Sequence, residues 1–176
     1  MLDGYVQAGK TEQAAALTKE LLADARMQLP RESPQLAGQL ASLGASLLQA
    51  KAFVEAESLL QECLAIRERT QPDEWTTFNT KSMLGGALLG QKKYAEAEPL
   101  LLAGYEGMKQ REAKIPPLSK FRLTEALERL VQLDDALEKK DEAAKWRKEL
   151  EAQKEAPERL KLDNPRPETS PGTQGK

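Results

Sequence analysis

The sequence predicts an all-α fold, a right-handed α-solenoid of antiparallel helix pairs with about four repeats. Its main support is an internal repeat, in which residues 43–60 return 41 positions later as residues 84–101. A repeat of this period indicates stacked units, because a single helix pair cannot bury its apolar face alone. The composition agrees, since a chain with 5% aromatic and 31% charged residues that is rich in Ala, Leu, Glu, Lys and Gln favours helices.

Four helices are predicted in the first half of the chain, over residues 1–8, 11–28, 34–49 and 53–69. Apolar residues follow the helical period; Leu36, Leu40 and Leu43, for example, share one face of the third helix. Proline at both ends of residues 30–34 separates the second helix from the third, and Ser33 is expected to cap the third.

Four further helices are predicted over residues 74–90, 93–112, 119–138 and 140–156. Prolines in residues 71–73 and 115–117 interrupt the chain before two of them, and Asp73 and Ser119 are expected to cap the helices that follow. Pro99 lies inside the sixth predicted helix, where a local kink or a lost hydrogen bond is expected.

One small residue recurs at an equivalent place in every repeat. The four positions are Ala14, Ala56, Ala97 and Ala143. A short turn precedes each, at residues 9–10, 51–52, 92–93 and 138–139. Because two helices approach closely only where no large side chain intervenes, these alanines are predicted to set the packing distance within each pair.

The chain divides into a helical repeat domain over residues 1–156 and a tail over residues 157–176. The tail holds four of the ten prolines and almost no apolar residues, so it is predicted to be disordered. The first repeat is truncated at its N-terminus, which suggests that an upstream part is missing. The apolar residues of this open end, which indicate association with a partner, are Met1, Leu2, Tyr5 and Val6.

Composition argues against several classes of function. With 26 basic and 28 acidic residues, the chain lacks the basic surface that nucleic acid binding requires. It contains neither an apolar run long enough for a membrane span nor a signal peptide, so a cytoplasmic location is predicted. Without histidine, and with Cys63 as the single cysteine, no catalytic site, cofactor site or metal site is expected.

Two features that resemble chemical sites, a reactive thiol and a cation site, are interpreted as structural. Cys63 lies on an apolar stripe and is predicted to be a packed thiol. Neighbouring carboxylates near the C-terminus are interpreted as solvated charge paired with lysines, and not as a cation site. These acidic residues are Asp134, Asp135, Glu138, Asp141 and Glu142.

The repeated pattern resembles a known family. The pattern consists of Leu-Gly, a short turn and then Tyr/Phe-x-Glu-Ala-Glu-x-Leu-Leu, which occurs at residues 53–60 and 94–101. It resembles tetratricopeptide repeats (TPRs) of the longer type found in kinesin light chains. Residues 75–101 and 126–147 also resemble the C-terminal repeats of bacterial eukaryotic-like serine/threonine kinases, although the chain has no kinase signature. Asp134 stands where such arrays usually place an aromatic residue, and Glu138 where the turn usually has glycine.

This resemblance implies a non-catalytic module that binds a peptide or protein partner in the concave groove. The alternative is a spacer or self-association arm at the C-terminus of a larger, kinase-like signalling protein. The resemblance places the groove on the first helix of each pair, with these principal positions: Gln7, Ser42, Gln49, Asn79, Ser82, Met83, Arg129 and Gln132. Further groove positions are Asp3, Ala41, Ala45, Gly86, Glu125 and Glu128.

Three of these side chains, Asn79, Ser82 and Arg129, could hydrogen-bond a peptide backbone or a carboxylate. The groove lacks most of the Lys, Arg and Asn residues of the family's carboxylate clamp. The aromatic residues near helix starts are instead predicted to pack between repeats. They are Phe53, Trp75, Phe78, Tyr94, Phe121 and Trp146.

Overall fold

The computed structural model describes the backbone of residues 1–162 and the side chains of residues 1–155. Within this part the chain forms eight α-helices and two short 3₁₀ turns, Glu112–Lys114 and Pro117–Ser119, with no strand. The helices are α1 (Leu2–Gln7), α2 (Thr11–Gln28), α3 (Pro34–Gln49), α4 (Phe53–Thr70), α5 (Trp75–Gly90), α6 (Tyr94–Gln110), α7 (Phe121–Ala136) and α8 (Lys140–Leu162).

The helices form four consecutive antiparallel pairs that stack as a solenoid, as the sequence predicts. Each helix packs on the next in the chain, and in addition α1 contacts α3, α3 contacts α5, and α5 contacts α7. The first helices of the pairs therefore lie side by side and form one continuous face.

The turn inside each pair has the same backbone conformation in all four repeats. Its central residue has a positive φ, 65° at Gly9, 59° at Lys51, 63° at Lys92 and 56° at Glu138. A left-handed residue at the end of a helix reverses the chain tightly, and glycine adopts it most easily. Glu138 keeps this geometry without glycine, so the last turn matches the others.

The core repeats with the same period as the sequence. All four predicted small positions, from Ala14 to Ala143, are completely buried. Leu60 and Leu101, 41 residues apart, are also fully buried. A Cβ atom at Gly44 would lie 2.7 Å from Leu60 Cδ2, and one at Gly85 would lie 2.7 Å from Leu101 Cγ. Glycine at these two positions therefore lets the leucine of the second helix touch the backbone of the first.

Helix starts and ends differ from prediction at several points. Ser33 caps α3 as predicted, since its Oγ accepts a hydrogen bond from Leu36 N at 3.1 Å. The predicted caps Asp73 and Ser119 are wrong: α5 begins after Glu74 and α7 after Lys120, both without a side-chain cap. Asp73 instead meets Arg111, whose Nε donates to the Asp73 carbonyl at 2.7 Å.

Pro99 and the end of the last helix allow two further comparisons with prediction. Helix α6 runs from Tyr94 to Gln110 across Pro99, which has no N–H to donate, so a hydrogen bond is lost there, as predicted. Helix α8 continues to Leu162, six residues beyond the predicted end at 156. The rest of the predicted tail, residues 163–176, lies outside the described residues, and the division at 156 stays a prediction.

Most of the aromatic residues pack between helices as predicted. Phe53 lies against Gly90, Phe78 lies against Gly107, and the Trp146 ring meets the Tyr105 ring edge-on at 5.7 Å. Trp75 and Tyr94 pack partly buried on the main core. The prediction is wrong for Phe121, which is 50% exposed with the Arg122 guanidinium 4.4 Å from its ring centre.

None of the helices in the described part of the chain is long and apolar enough to cross a membrane.

Candidate peptide-binding groove

Two hollows lie on the face formed by α3, α5 and α7. The first, here called the Arg129 hollow, has a volume of about 440 Å³. Its lining residues are Leu48, Gln49, Lys51, Phe53, Gly86, Leu89, Gly90, Glu125, Glu128, Arg129 and Gln132. The second, called the Arg67 hollow, has about 210 Å³. Its lining residues are Gly38, Ala41, Ser42, Arg67, Trp75, Thr76, Asn79, Met83, Ser119 and Arg122.

Arg129 is held in place across the surface of α5. A Cβ atom at Gly86 would lie 2.9 Å from Arg129 Cδ, so the glycine makes room for the arginine stem. Arg129 Nη1 donates to Ser82 Oγ at 3.1 Å, and Nη2 lies 3.4 Å from Glu125 Oε2. Burial lowers the pKa of Arg129, while the charge of Glu125 raises it. The Arg129 hollow therefore has a fixed, partly neutralised cation in its wall.

Asn79 is the unusual polar residue of the groove. Its side chain is buried, with 6% of the residue exposed, yet its Oδ1 accepts no hydrogen bond from the described residues. Buried amides are normally paired, and leaving one unpaired costs about 1–3 kcal/mol. Asn79 lines the Arg67 hollow, but its Oδ1 is closed to solvent, so a ligand in the hollow would reach this oxygen only after the side chain rotates.

The two hollows bring together six of the eight principal groove positions. Ser42, Asn79 and Met83 line the Arg67 hollow, although Met83 is almost fully buried. The residues at the Arg129 hollow are Gln49, Arg129 and Gln132.

The other two positions lie outside the hollows. Ser82 is completely buried and supports Arg129, so it is not itself open to a ligand. Gln7 is exposed on α1 and lines neither hollow.

The sequence analysis missed Arg67, on the second helix of its pair. Arg67 is only 7% exposed, and its Nη1 donates to Thr76 O and Thr80 Oγ1, both at 2.6 Å. The sequence does contain an indication that Arg67 is buried, because Arg67 continues the apolar stripe of Leu60 and Cys63 at helical spacing. A charged residue on a buried stripe indicates a buried charge.

Cys63 is buried as predicted. Its Sγ lies 3.1 Å from Ala37 O, to which the thiol donates, and 3.7 Å from Thr80 Oγ1. Burial raises the pKa of this thiol. A protonated, buried thiol packs as a small apolar group.

Two of the acidic residues near the C-terminus have protein partners, and neither partner is a lysine, contrary to prediction; Lys139 pairs with Glu98 instead. Asp134 is buried, and its Oδ2 accepts a hydrogen bond from Trp146 Nε1 at 3.0 Å. Asp135 pairs with Arg147. Over residues 1–162, no three potential metal ligands of the His, Cys, Asp or Glu type come together. The contact of Asp134 with Trp146 therefore ties α7 to α8 through a hydrogen bond.

Replacing Asp134 by asparagine is expected to stabilise the protein increasingly as the pH rises from about 4 to 7. Burial raises the pKa of Asp134 against the opposing effect of Trp146. The folded state thus keeps the proton to higher pH than the unfolded state, and wild-type stability falls as pH rises from the ordinary Asp pKa of about 3.9. Asparagine can accept the same hydrogen bond without titrating. Urea unfolding at several pH values measures the difference; an advantage that shrinks with pH would contradict this account.

Stacked antiparallel helix pairs, a repeated left-handed turn and a polar inner face together define a TPR-like helical repeat array. Residues 36–70 match the sequence profile of the tetratricopeptide repeat family. This confirms the predicted resemblance for α3 and α4, the second pair.

Solved structures extend the likeness in fold to almost the whole chain. One contains nearly identical TPR-like repeats assigned to a kinesin light chain of Podosopora anserina. It is 19% identical, covers 94% of each chain and has a TM-score of 0.57. A single-substitution variant of those repeats is 18% identical, with 90% of this chain and 93% of that chain covered, and the same TM-score. A comparison with curated proteins found no match. The resemblance to bacterial kinases stays a prediction.

Proposed function

We propose that this chain is a non-catalytic protein-interaction module that binds an extended peptide segment of a partner along the face of α3, α5 and α7. TPR arrays are in general protein-interaction modules, and the second pair matches that family. The principal groove positions proposed for contact with the peptide are Ser42, Gln49, Asn79, Arg129 and Gln132.

The observation that carries the proposal is the unpaired amide of Asn79 in the wall of a hollow. A peptide unit offers an N–H and a carbonyl, which match the oxygen and nitrogen of an asparagine side chain. Once the Asn79 side chain rotates its amide toward the hollow, a ligand of this kind would pair the unpaired oxygen and remove the cost of leaving it buried, which favours binding. Exposed Ser42 and Gln49 lie at the same face and add polar contacts.

Association through the N-terminal end is the second candidate. Met1 is 94% exposed, whereas Leu2, Tyr5 and Val6 are half-buried, with Leu2 packed on the core of the second repeat. The apolar surface at this end is therefore smaller than the sequence predicts. A monomer at all concentrations by light scattering would contradict self-association.

The cytoplasmic location, the bacterial link and the absence of nucleic acid binding stay predictions.

The test of peptide binding is selection from a random peptide display library against the immobilised full chain. The affinity of an enriched peptide is then measured by fluorescence anisotropy for the wild type and for Ser42→Trp. Ser42 is exposed at the mouth of the Arg67 hollow, so an indole there obstructs the groove without entering the core. We expect binding weaker by about tenfold or more, which corresponds to about 1.4 kcal/mol.

The matched control is Glu20→Trp, on the exposed side of α2, which belongs to the other layer of helices. It should bind the peptide as the wild type does. Equal affinity for Ser42→Trp and wild type would overturn the proposal, and so would a library that enriches no peptide over the uncoated support.

A further inference from the structure

A third hollow lies between α2 and α4, in the layer of second helices and away from the groove. This α2–α4 hollow has a volume of about 120 Å³. Its lining residues are Ala15, Thr18, Lys19, Leu22, Leu47, Glu55, Ser58 and Leu59. The Thr18 hydroxyl donates to Ala14 O at 2.8 Å, so it is bound to its own helix. The ion pair of Arg26 with Glu62 joins α2 to α4 farther along. The hollow is therefore local, and its floor suits an aliphatic group.

The later repeats show that the fold does not require an open, apolar seam between second helices. Between α4 and α6, Glu57 pairs with Lys93 at 2.9 Å, and an equivalent pair joins α6 to the start of α8. In the first seam both of these positions are alanine, Ala15 and Ala52. No ion pair of this kind can cross the first seam, so the space between α2 and α4 stays apolar.

An exposed aliphatic side chain stands beside the hollow. Val54 is 65% exposed, and it lies one residue before Glu55 and one helical turn before Ser58, which both line the hollow. The equivalent residue is Glu12 in the first pair and Ala95 in the third. Both are better helix formers than valine, so helix stability does not explain Val54. Single exposed apolar residues are common, but this one adjoins an apolar hollow on the same face.

We propose that two copies of this chain associate through this face, with Val54 of each copy seated in the α2–α4 hollow of the other. A twofold axis between the valine and the hollow makes both contacts at once, because a C2 interface joins the same patch of the two copies. The patch contains both a projection and a recess, so a second copy supplies what it lacks. Lys19 and Glu55 at the hollow are of opposite sign, so the two faces meet without a net charge.

Such a dimer is weak and leaves the groove free. A stable interface buries about 800 Å² on each partner. One side chain in a hollow of about 120 Å³ falls well short of that area. The groove belongs to the other layer of helices, so both grooves of the dimer stay open. Dimerisation therefore goes beyond the proposed function, and either can occur without the other.

Sedimentation velocity of the full chain, from micromolar to millimolar concentration, measures the self-association. We expect the wild type to form dimers at the upper end of this range. Val54→Lys places a charge at the exposed position, and Ala15→Glu places the glutamate of the later pairs in the hollow. Each variant should weaken the association by at least about tenfold, since each prevents burial of the valine. Neither change removes a completely buried side chain, and circular dichroism checks that both variants fold.

The decisive sample is an equal mixture of Val54→Lys and Ala15→Glu. In the mixed dimer one contact keeps the valine and an unaltered hollow, and in the other the introduced lysine meets the introduced glutamate. The mixture should associate at least about tenfold more tightly than either variant alone. The matched control is Leu118→Lys, a similar change at a residue 91% exposed between α6 and α7. It should associate as the wild type does.

Three results would overturn the dimer. A wild type that stays monomeric up to millimolar concentration would show that a second copy does not occupy the hollow. Association that survives both single variants would belong to another surface, such as the N-terminal end. A mixture that associates no more tightly than its components would show that Val54 and the hollow do not meet.

Discussion

Replacing Leu101 by alanine is expected to lower the free energy of unfolding by about 3–4 kcal/mol. Leu101 is completely buried in the main core, and its Cγ approaches the backbone of α5 at Gly85. Gly85 has no side chain that could move into the space left by the truncated leucine. The lost apolar burial therefore adds to the cost of a cavity that closes incompletely. Urea unfolding followed by circular dichroism measures the change.

Two further variants show whether this cost comes from the repeated packing. Leu60→Ala removes the equivalent side chain one repeat earlier, against Gly44, and should cost a similar amount. Leu118→Ala, at a residue 91% exposed, should change stability by less than about 0.5 kcal/mol. A loss below about 1 kcal/mol for Leu101→Ala would show that α5 and α6 close together after truncation, contrary to the tight packing described.

The helix pairs, the turns and the small buried alanines could be predicted because each is recorded several times in the sequence. Lys51, Lys92 and Glu138 are not typical left-handed residues, yet their alignment with Gly9 placed the turn correctly. A single departure such as Glu138 has little weight when three equivalent positions agree. Repetition in effect supplies several observations of one structural unit.

Features that occur once were predicted less well. Asp73 and Ser119 are suitable capping residues, but the chain enters α5 and α7 through other contacts, including that of Asp73 with Arg111. Whether a residue caps a helix depends on its backbone conformation, and one residue type can adopt several conformations. Phe121 remains half-exposed because it begins α7 directly after a 3₁₀ turn, outside the repeated seam.

The candidate site was predictable in outline only. The family resemblance placed Asn79 on the groove, but the hollow that it lines is formed by residues of α3, α4, α5 and α7 together. Arg67 was missed because a charged residue near the end of a helix usually faces water. Arg122, which lines the same hollow, follows 55 residues later, so local sequence does not connect the two.

Replacing Asn79 by leucine is expected to change stability and binding in opposite directions. Leucine keeps the branched shape of asparagine and has no polar group, so the variant should unfold with a free energy higher by about 1–2 kcal/mol. Peptide affinity should fall by about tenfold or more, since the amide would no longer meet the peptide unit. Urea unfolding and anisotropy with a selected peptide measure the two effects in the same preparation.

The sign of the stability change distinguishes a structural role of Asn79 from a ligand-binding role. An asparagine that serves the fold would be paired, and its replacement by leucine would destabilise the protein. An asparagine kept unpaired for a ligand weakens the free protein, so its removal stabilises. Ser42→Ala, an exposed change at the same hollow, controls for effects of the site itself and should leave stability within about 0.5 kcal/mol. A destabilised Asn79→Leu with unchanged peptide affinity would assign the residue to structure and move the peptide away from the Arg67 hollow.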